Sequence, residues 1–164
     1  MPKRRTYPDG ETPTLTAPKK PAIGAARILL ADDQEEMRRA IANLLEGEFD
    51  IIGAAENGQR AVELVPVLCP DIIVLDICMP VLNGIEAAAQ LRSSGSAPKI
   101  VFLTVNDDPD FVDAALATGA LGYVLKCSAS EDLIPAIHQA VDGKRFVSPL
   151  ISTCPLPTGN NRDR

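Results

Sequence analysis

Four apolar runs in this chain each end on a polar residue of the kind that phosphoryl chemistry uses. The runs lead into the following residues: Ile28 to Ala31 into Asp32 and Asp33, Ile72 to Leu75 into Asp76, Ile100 to Leu103 into Thr104, and Tyr123 to Leu125 into Lys126. In an open parallel α/β sheet, ligands bind outside the carboxyl ends of the strands. We therefore expect these side chains to share one crevice, where three carboxylates, a hydroxyl and an ammonium can hold a divalent cation and a phosphoryl group.

The segments between these runs carry the apolar spacing of helices. Apolar residues that recur three and four positions apart predict an amphipathic helix from about Gln34 to Glu46. A strand is predicted over 50–55, and further helices over about 59–68, 84–93, 109–118 and 130–143. Strands and helices thus alternate as (βα)5, which is typical of an α/β protein with a doubly wound parallel sheet and right-handed crossovers.

The two ends of the chain differ in composition from its middle. Residues 1–26 contain five prolines and carry five basic against two acidic residues, which predicts a disordered arm. Residues 149–164 contain three prolines and a polar end, which predicts a flexible tail. Residues 27–148 have room for one domain of ordinary size and carry 9 basic against 19 acidic residues. We expect this acidic domain by itself not to bind nucleic acid directly.

The composition argues against several other classes of protein. No apolar stretch approaches the roughly 18 residues that a membrane span needs, and Met1 is followed by basic, proline-rich sequence in place of an apolar signal region. We therefore expect a cytoplasmic protein with no membrane partner. The four cysteines lie far apart without metal-ligand spacing, which favours free buried thiols over a zinc site or a disulfide framework.

Residues from about Arg27 to Val147 resemble the receiver domain of two-component response regulators. The motifs that carry the resemblance are the acidic pair Asp32-Asp33, Asp76 with Met79-Pro80 and Gly84 downstream, Thr104, and Tyr123 with Lys126. The segment from Gly119 to Lys126 is most similar to the subfamily whose full-length members carry a helix-turn-helix output domain. The resemblance implies a flavodoxin-like receiver fold with strand order 2-1-3-4-5.

The resemblance also implies a phosphorylation site with a metal cofactor. Asp76 is the expected phospho-acceptor, a carboxylate that acts as the nucleophile. The expected ligands of a Mg²⁺ ion are Asp32, Asp33 and Asp76, together with the backbone carbonyl of Cys78. Magnesium suits such a site because it uses few carboxylates, retains waters and accepts phosphate oxygens.

Three further residues have roles that the resemblance implies. Lys126 is expected to pair with Asp76 and then with the transferred phosphoryl oxygens, and Thr104 to donate its hydroxyl to one of those oxygens. Tyr123 is expected to swing inward behind Thr104 as the second residue of a conformational switch. The expected partners are a histidine kinase or phosphotransfer protein as the phosphoryl donor, and an unknown downstream protein. We expect the domain to catalyse only its own phosphorylation and dephosphorylation, and otherwise not to be an enzyme.

Some positions depart from the usual pattern of the family. Val105 follows Thr104 where a small residue is usual, and we expect its branched side chain to narrow access to the site. Pro66 is expected to end or bend the last turn of the second helix, and Pro135 to kink the fifth. The fifth helix often forms dimer contacts in the family, so a homodimer is left open.

Two other functions are compatible with part of the sequence. A shortened transcription regulator without its helix-turn-helix output would carry the same receiver motifs. An aspartate-nucleophile phosphohydrolase would place a second Asp two residues after the nucleophile, but Cys78 stands there after Asp76, and Gln34 after Asp32. We therefore favour a phospho-accepting receiver that signals to another protein.

Overall fold

The computed structural model describes residues 24–95 and 98–153, whose strands form one parallel sheet. The strands are β1 (Arg27–Ala31), β2 (Asp50–Ala55), β3 (Ile72–Leu75), β4 (Lys99–Thr104), β5 (Gly122–Leu125) and β6 (Phe146–Val147). The helices are α1 (Glu35–Leu45), α2 (Gly58–Leu68), α3 (Gly84–Ser93), α4 (Pro109–Ala117), α5 (Ala129–Val141) and α6 (Pro149–Thr153), with a 3₁₀ turn at Lys126–Ser128. The strand order β2-β1-β3-β4-β5-β6 confirms the predicted (βα)5 fold and adds a sixth strand to it.

Successive residues of the central strands point to opposite faces of the sheet, so the domain has two apolar cores. In β3, Ile73 and Leu75 pack with α2, α3 and α4, whereas Ile72 and Val74 pack with α1 and α5. Every residue of β3 is buried, which explains why its sequence is continuously apolar and does not alternate. Because the strands are parallel, the polar side chains that follow them collect at the carboxyl edge of the sheet.

The described chain continues past residue 148 in regular structure. β6 pairs in parallel with β5, and α6 follows it directly. Ile151 packs against the core that contains α2, α3 and α4, which explains why this part of the chain is ordered. The flexible tail expected over residues 149–164 therefore differs from the structure over Pro149–Thr153. The remainder of that tail and residues 1–23 of the expected arm lie outside the described residues.

Within the described residues, two prolines lie in helices beyond the first turn. α2 ends at Leu68, two residues after Pro66, and Cys69 caps it in the left-handed conformation, as the sequence predicts for the end of this helix. α5 instead continues past Pro135 to Val141, and buried residues on both sides of the proline hold the helix against the sheet. α5 therefore continues through Pro135, because packing on the sheet outweighs the lost backbone hydrogen bond, and the kink expected there stays a prediction.

The loop between β3 and α3 depends on two close backbone approaches. A Cβ atom on Gly84 would overlap the carbonyl oxygen of Asp76, and one on Gly58 would overlap the carbonyl oxygen of Leu82. Glycine is therefore required at both positions. The Gly84 N–H donates to the carbonyl of Ile77 at 2.8 Å, which holds the loop against the end of β3. These contacts fix the backbone on which Asp76 stands.

We expect Val81→Gly to raise the free energy of unfolding by about 1 kcal/mol, because Val81 in this loop has a φ of 70°. A β-branched residue is strained there, and the Val81 side chain is 80% exposed, so it contributes little packing. Urea unfolding followed by circular dichroism measures the change. Val67→Gly is the control, because Val67 is 75% exposed but lies within α2, where glycine is expected to destabilise the helix. A destabilised Val81→Gly protein would contradict the prediction of strain.

Candidate functional site

The carboxyl ends of β1, β3 and β5 bring three of the predicted residues into contact. The ammonium of Lys126 lies 2.6 Å from Oδ2 of Asp32 and 3.1 Å from Oδ2 of Asp76. At most 8% of any of these side chains is exposed. A buried charge is tolerated only when it is paired and hydrogen-bonded, and here one ammonium compensates two carboxylates in part. The cluster therefore keeps a net negative charge when both carboxylates are ionised.

Burial and neighbouring charges shift the pKa values of two members of this cluster. Burial raises the pKa of Asp76 above its usual value; the hydrogen bond and charge of Lys126 act against this rise, and the charge of Asp32 adds to it. Burial acts to lower the pKa of Lys126, but the two carboxylates outweigh it and hold that pKa above its usual value. Lys126 is therefore a cation at neutral pH, and the negative charge of Asp76 is stabilised incompletely.

Asp33 adds a third carboxylate to the cluster and faces solvent. Oxygens of Asp32, Asp33 and Asp76 lie within 4.8 Å of one another, a spacing that one cation can bridge. Carboxylate oxygens are the hard donors that Mg²⁺ prefers, and the exposed side of Asp33 leaves room for the waters that the ion retains. The N–H of Cys78 donates to Oδ1 of Asp76 at 3.3 Å, so the main chain at Cys78 also lies against this carboxylate. These residues fit a magnesium ion.

The two expected switch residues, Thr104 and Tyr123, meet at one loop residue. Both side chains are fully buried. Oγ1 of Thr104 accepts from the N–H of Asn106 at 3.3 Å, and the hydroxyl of Tyr123 donates to the carbonyl of Asn106 at 2.6 Å. Burial, with a further contribution from the charge of Asp107, raises the pKa of Tyr123, so the hydroxyl keeps the proton that it donates. In this structure Tyr123 is thus already turned inward.

The sequence reasoning missed the contact between Arg38 and the acidic pair. The guanidinium of Arg38 donates to the backbone carbonyl of Asp32, and the N–H of Gln34 donates to Oδ1 of Asp32 at 2.8 Å. Arg38 also lines a small cavity together with Asp32 and Asp76. Side chains in a helix point back toward its N-terminus. The sequence signal that could have predicted this contact was a basic residue in the second turn of α1, a few positions after two aspartates.

Val105 is 72% exposed, so most of its side chain faces solvent, and its expected effect on access to the site stays a prediction.

Cys69, Cys78 and Cys127 are all exposed. The prediction of buried thiols is therefore wrong for these three residues, because they lie at a helix end and in segments that follow strands. Cys154 lies outside the described residues.

Comparison with known proteins agrees with this geometry. Residues 28–138 match the response regulator receiver domain family, and the chain belongs to this family. The chain is 40% identical over 125 residues to the nitrate/nitrite response regulator protein NarL of Escherichia coli K12, and covers 58% of that relative. It is 39% identical over 139 residues to the transcriptional regulatory protein PdtaR of Mycobacterium tuberculosis, and covers 67% of it. These matches cover 75% and 83% of this chain.

Solved structures give the same result. A LuxR-family two-component response regulator from Aurantimonas sp. SI85-9A1 matches with a TM-score of 0.74 and 34% identity, over 78% of this chain and 93% of that one. The receiver domain of the response regulator NarL of Mycobacterium tuberculosis matches with a TM-score of 0.69 and 30% identity, over 73% and 98% of the two chains. The chain spans about three fifths of the length of several curated relatives, so the activity of a whole regulator does not follow from these matches.

We expect Asp76→Asn to raise the melting temperature by about 2–4 °C at pH 7 with a chelator present, which corresponds to about 1 kcal/mol. Folding raises the pKa of Asp76, so the ionised carboxylate opposes folding at neutral pH. The wild-type protein loses this penalty as pH falls through the raised pKa, and the advantage of the variant should shrink toward the ordinary pKa of 3.8. Thermal unfolding between pH 7 and pH 4 measures both effects.

Lys126→Met is the control for that experiment, because it leaves two buried carboxylates without their shared cation. It should lower the melting temperature at pH 7. If Asp76→Asn were also less stable than the wild type at pH 7, the carboxylate of Asp76 would have to be net stabilising. That result would contradict the raised pKa.

Proposed function

We propose that this chain accepts a phosphoryl group on Asp76 in a Mg²⁺-dependent reaction and signals through the change of conformation that follows. The observation that carries the proposal is the ammonium of Lys126 shared between Asp32 and Asp76, with an oxygen of Asp33 close enough for one cation to bridge the carboxylates. One crevice thus offers a nucleophile, a cation for phosphoryl oxygens and a set of metal ligands.

The reaction follows from the roles of these groups. A carboxylate oxygen of Asp76 attacks phosphorus while the bond between phosphorus and its leaving group breaks, which forms an acyl phosphate on Asp76. Asp32, Asp33, Asp76 and the carbonyl of Cys78 would hold Mg²⁺, which would supply positive charge to the phosphoryl oxygens. Lys126 gives up part of its contact with Asp76 and pairs with a transferred oxygen. The domain therefore promotes its own phosphorylation.

The response to phosphorylation begins at Thr104. Its hydroxyl turns to donate to a phosphoryl oxygen, which moves the loop after β4 because the N–H of Asn106 bonds to the same hydroxyl. The carbonyl of Asn106 accepts from Tyr123, so the loop and the tyrosine ring respond together. Phosphorylation then favours the inward arrangement of Tyr123 over an outward one, and the surface of α4 and β5 changes.

The proposed phosphoryl donor is a histidine kinase or a phosphotransfer protein, and the output goes to a downstream protein. The names of the curated relatives favour one alternative, a transcriptional regulator of which this chain is the receiver part. The acidic domain makes direct binding to nucleic acid unfavourable in either case.

A homodimer through α5 stays a prediction. None of the described helices is long and apolar enough to cross a membrane; the cytoplasmic location stays a prediction.

Incubation with Mg²⁺ and acetyl phosphate should add one phosphoryl group to the wild-type protein and none to Asp76→Asn. The amide keeps the shape of the side chain but lacks the attacking charge. Intact-protein mass spectrometry measures the product. Asp113→Asn is the matched control, because Asp113 is exposed on α4, and this variant should be labelled like the wild type. Equal labelling of Asp76→Asn and the wild type would rule out Asp76 as the acceptor.

Millimolar Mg²⁺ should raise the melting temperature of the wild-type protein and change that of Asp33→Ala much less. A ligand that binds only the folded state stabilises it by mass action, and loss of one carboxylate weakens the site. Asp142→Ala removes the same charge at the far end of α5 and should respond like the wild type. An unchanged melting temperature of the wild type, with no heat of binding in calorimetry, would refute the metal site.

A further inference from the structure

A cluster of two buried serines and one half-buried carboxylate lies beside the phosphorylation site and takes no part in the chemistry proposed above. The hydroxyls of Ser128 and Ser148 each donate to Oδ2 of Asp132 at 2.7 Å. Ser148 is fully buried and Ser128 is 6% exposed. Each donor and acceptor in such a cluster must be satisfied, since a buried polar group without a hydrogen bond destabilises the folded state. The cluster is therefore a fixed structural unit.

This cluster holds the chain on both sides of Lys126. The backbone N–H of Leu125 donates to Oγ of Ser148 at 3.2 Å, just before the 3₁₀ turn that contains Lys126. Ser128 ends the same turn, and its hydroxyl lies 3.3 Å from the carbonyl of Leu125. The backbone of Lys126 is thus fixed at each end by groups that meet at Asp132. The ammonium of Lys126 reaches Asp76 from this fixed backbone.

The C-terminal segment supplies one of the serines. β6 pairs with β5, the N–H of Phe146 donates to the carbonyl of Leu121 at 2.8 Å, and the N–H of Ser148 donates to the carbonyl of Tyr123 at 2.9 Å. The N–H of Ile151 in α6 then donates to the carbonyl of Ser148 at 3.0 Å. The strand that carries the switch residue Tyr123 is therefore paired directly with residues 146–148, and α6 is bonded to Ser148.

We infer that Ser148 and Asp132 are positioning residues for Lys126, and that docking of residues 146–153 onto β5 is coupled to phosphorylation. The inference rests on the proposed function. If docking of this segment favours the position of Lys126 that stabilises the phosphoryl group, phosphorylation must strengthen docking by the same factor. Residues 146–153 are then the route by which the state of Asp76 reaches whatever lies beyond them.

The test compares phosphorylation rates in the full chain. Ser148→Ala and Asp132→Asn should take up the phosphoryl group from acetyl phosphate about fivefold to tenfold more slowly than the wild type, the effect expected from losing about one hydrogen bond. Their Mg²⁺ affinity without the phosphodonor should stay within about twofold of the wild type, since the metal ligands are untouched. This separation distinguishes positioning of Lys126 from general damage to the site. Ser130→Ala, an exposed serine of α5, is the matched control.

Hydrogen exchange on the unmodified sequence provides a second test that does not depend on the folding of a variant. The backbone amides of Phe146 and Ser148 should exchange more slowly after phosphorylation, and Asp76→Asn should show no such change with the same reagent. The inference would be overturned if Ser148→Ala and Asp132→Asn were phosphorylated as fast as Ser130→Ala. It would also be overturned if the amides of Phe146 and Ser148 exchanged at an unchanged rate in a wild-type protein that is demonstrably phosphorylated. A wild-type protein that takes up no phosphoryl group would instead overturn the proposed function.

Discussion

The ammonium of Lys126 between two buried carboxylates is the interaction on which the rest of the site depends. It permits Asp32 and Asp76 to lie together at the end of the sheet with almost no exposure to water. The compensation is incomplete, and the pKa of Asp76 remains raised, chiefly by burial. Further positive charge would stabilise the ionised carboxylates of this site, and a divalent cation held with the help of the exposed Asp33 is one source of it.

The backbone around this cluster is fixed by packing as much as by charge. Gly84 and Gly58 allow the loop after β3 to approach neighbouring main chain where no Cβ atom fits. Arg38 fixes the carbonyl of Asp32 from α1. Each contact comes from a different element, so the position of the carboxylates depends on how several elements of the domain pack together. A change in any of these elements is expected to alter the site without touching a reacting atom.

The C-terminal segment extends this dependence to β5. Tyr123 is bonded through its hydroxyl to the loop after β4 and through its carbonyl to Ser148. Lys126 follows directly after this strand, in the 3₁₀ turn, and reaches the acidic cluster. β5 is therefore the element that contacts the chemical site, the switch and the segment beyond the family match, which ends at residue 138. These shared contacts are the ones through which the proposed phosphorylation would act on the proposed switch.

The sequence by itself determined the alternation of strands and helices, and its resemblance to receivers gave their order in the sheet. It also determined that Asp32, Asp76 and Lys126 share one crevice, because polar residues that follow buried parallel strands must meet at one edge of the sheet. Only the tertiary structure decided contacts between residues distant in the chain. Arg38 reaches Asp32 through the geometry of α1. Ser148 is buried because β6 adds to β5, and no local periodicity of a two-residue strand predicts such pairing. The exposure of Cys69, Cys78 and Cys127 likewise follows from the tertiary structure, which local propensity does not encode.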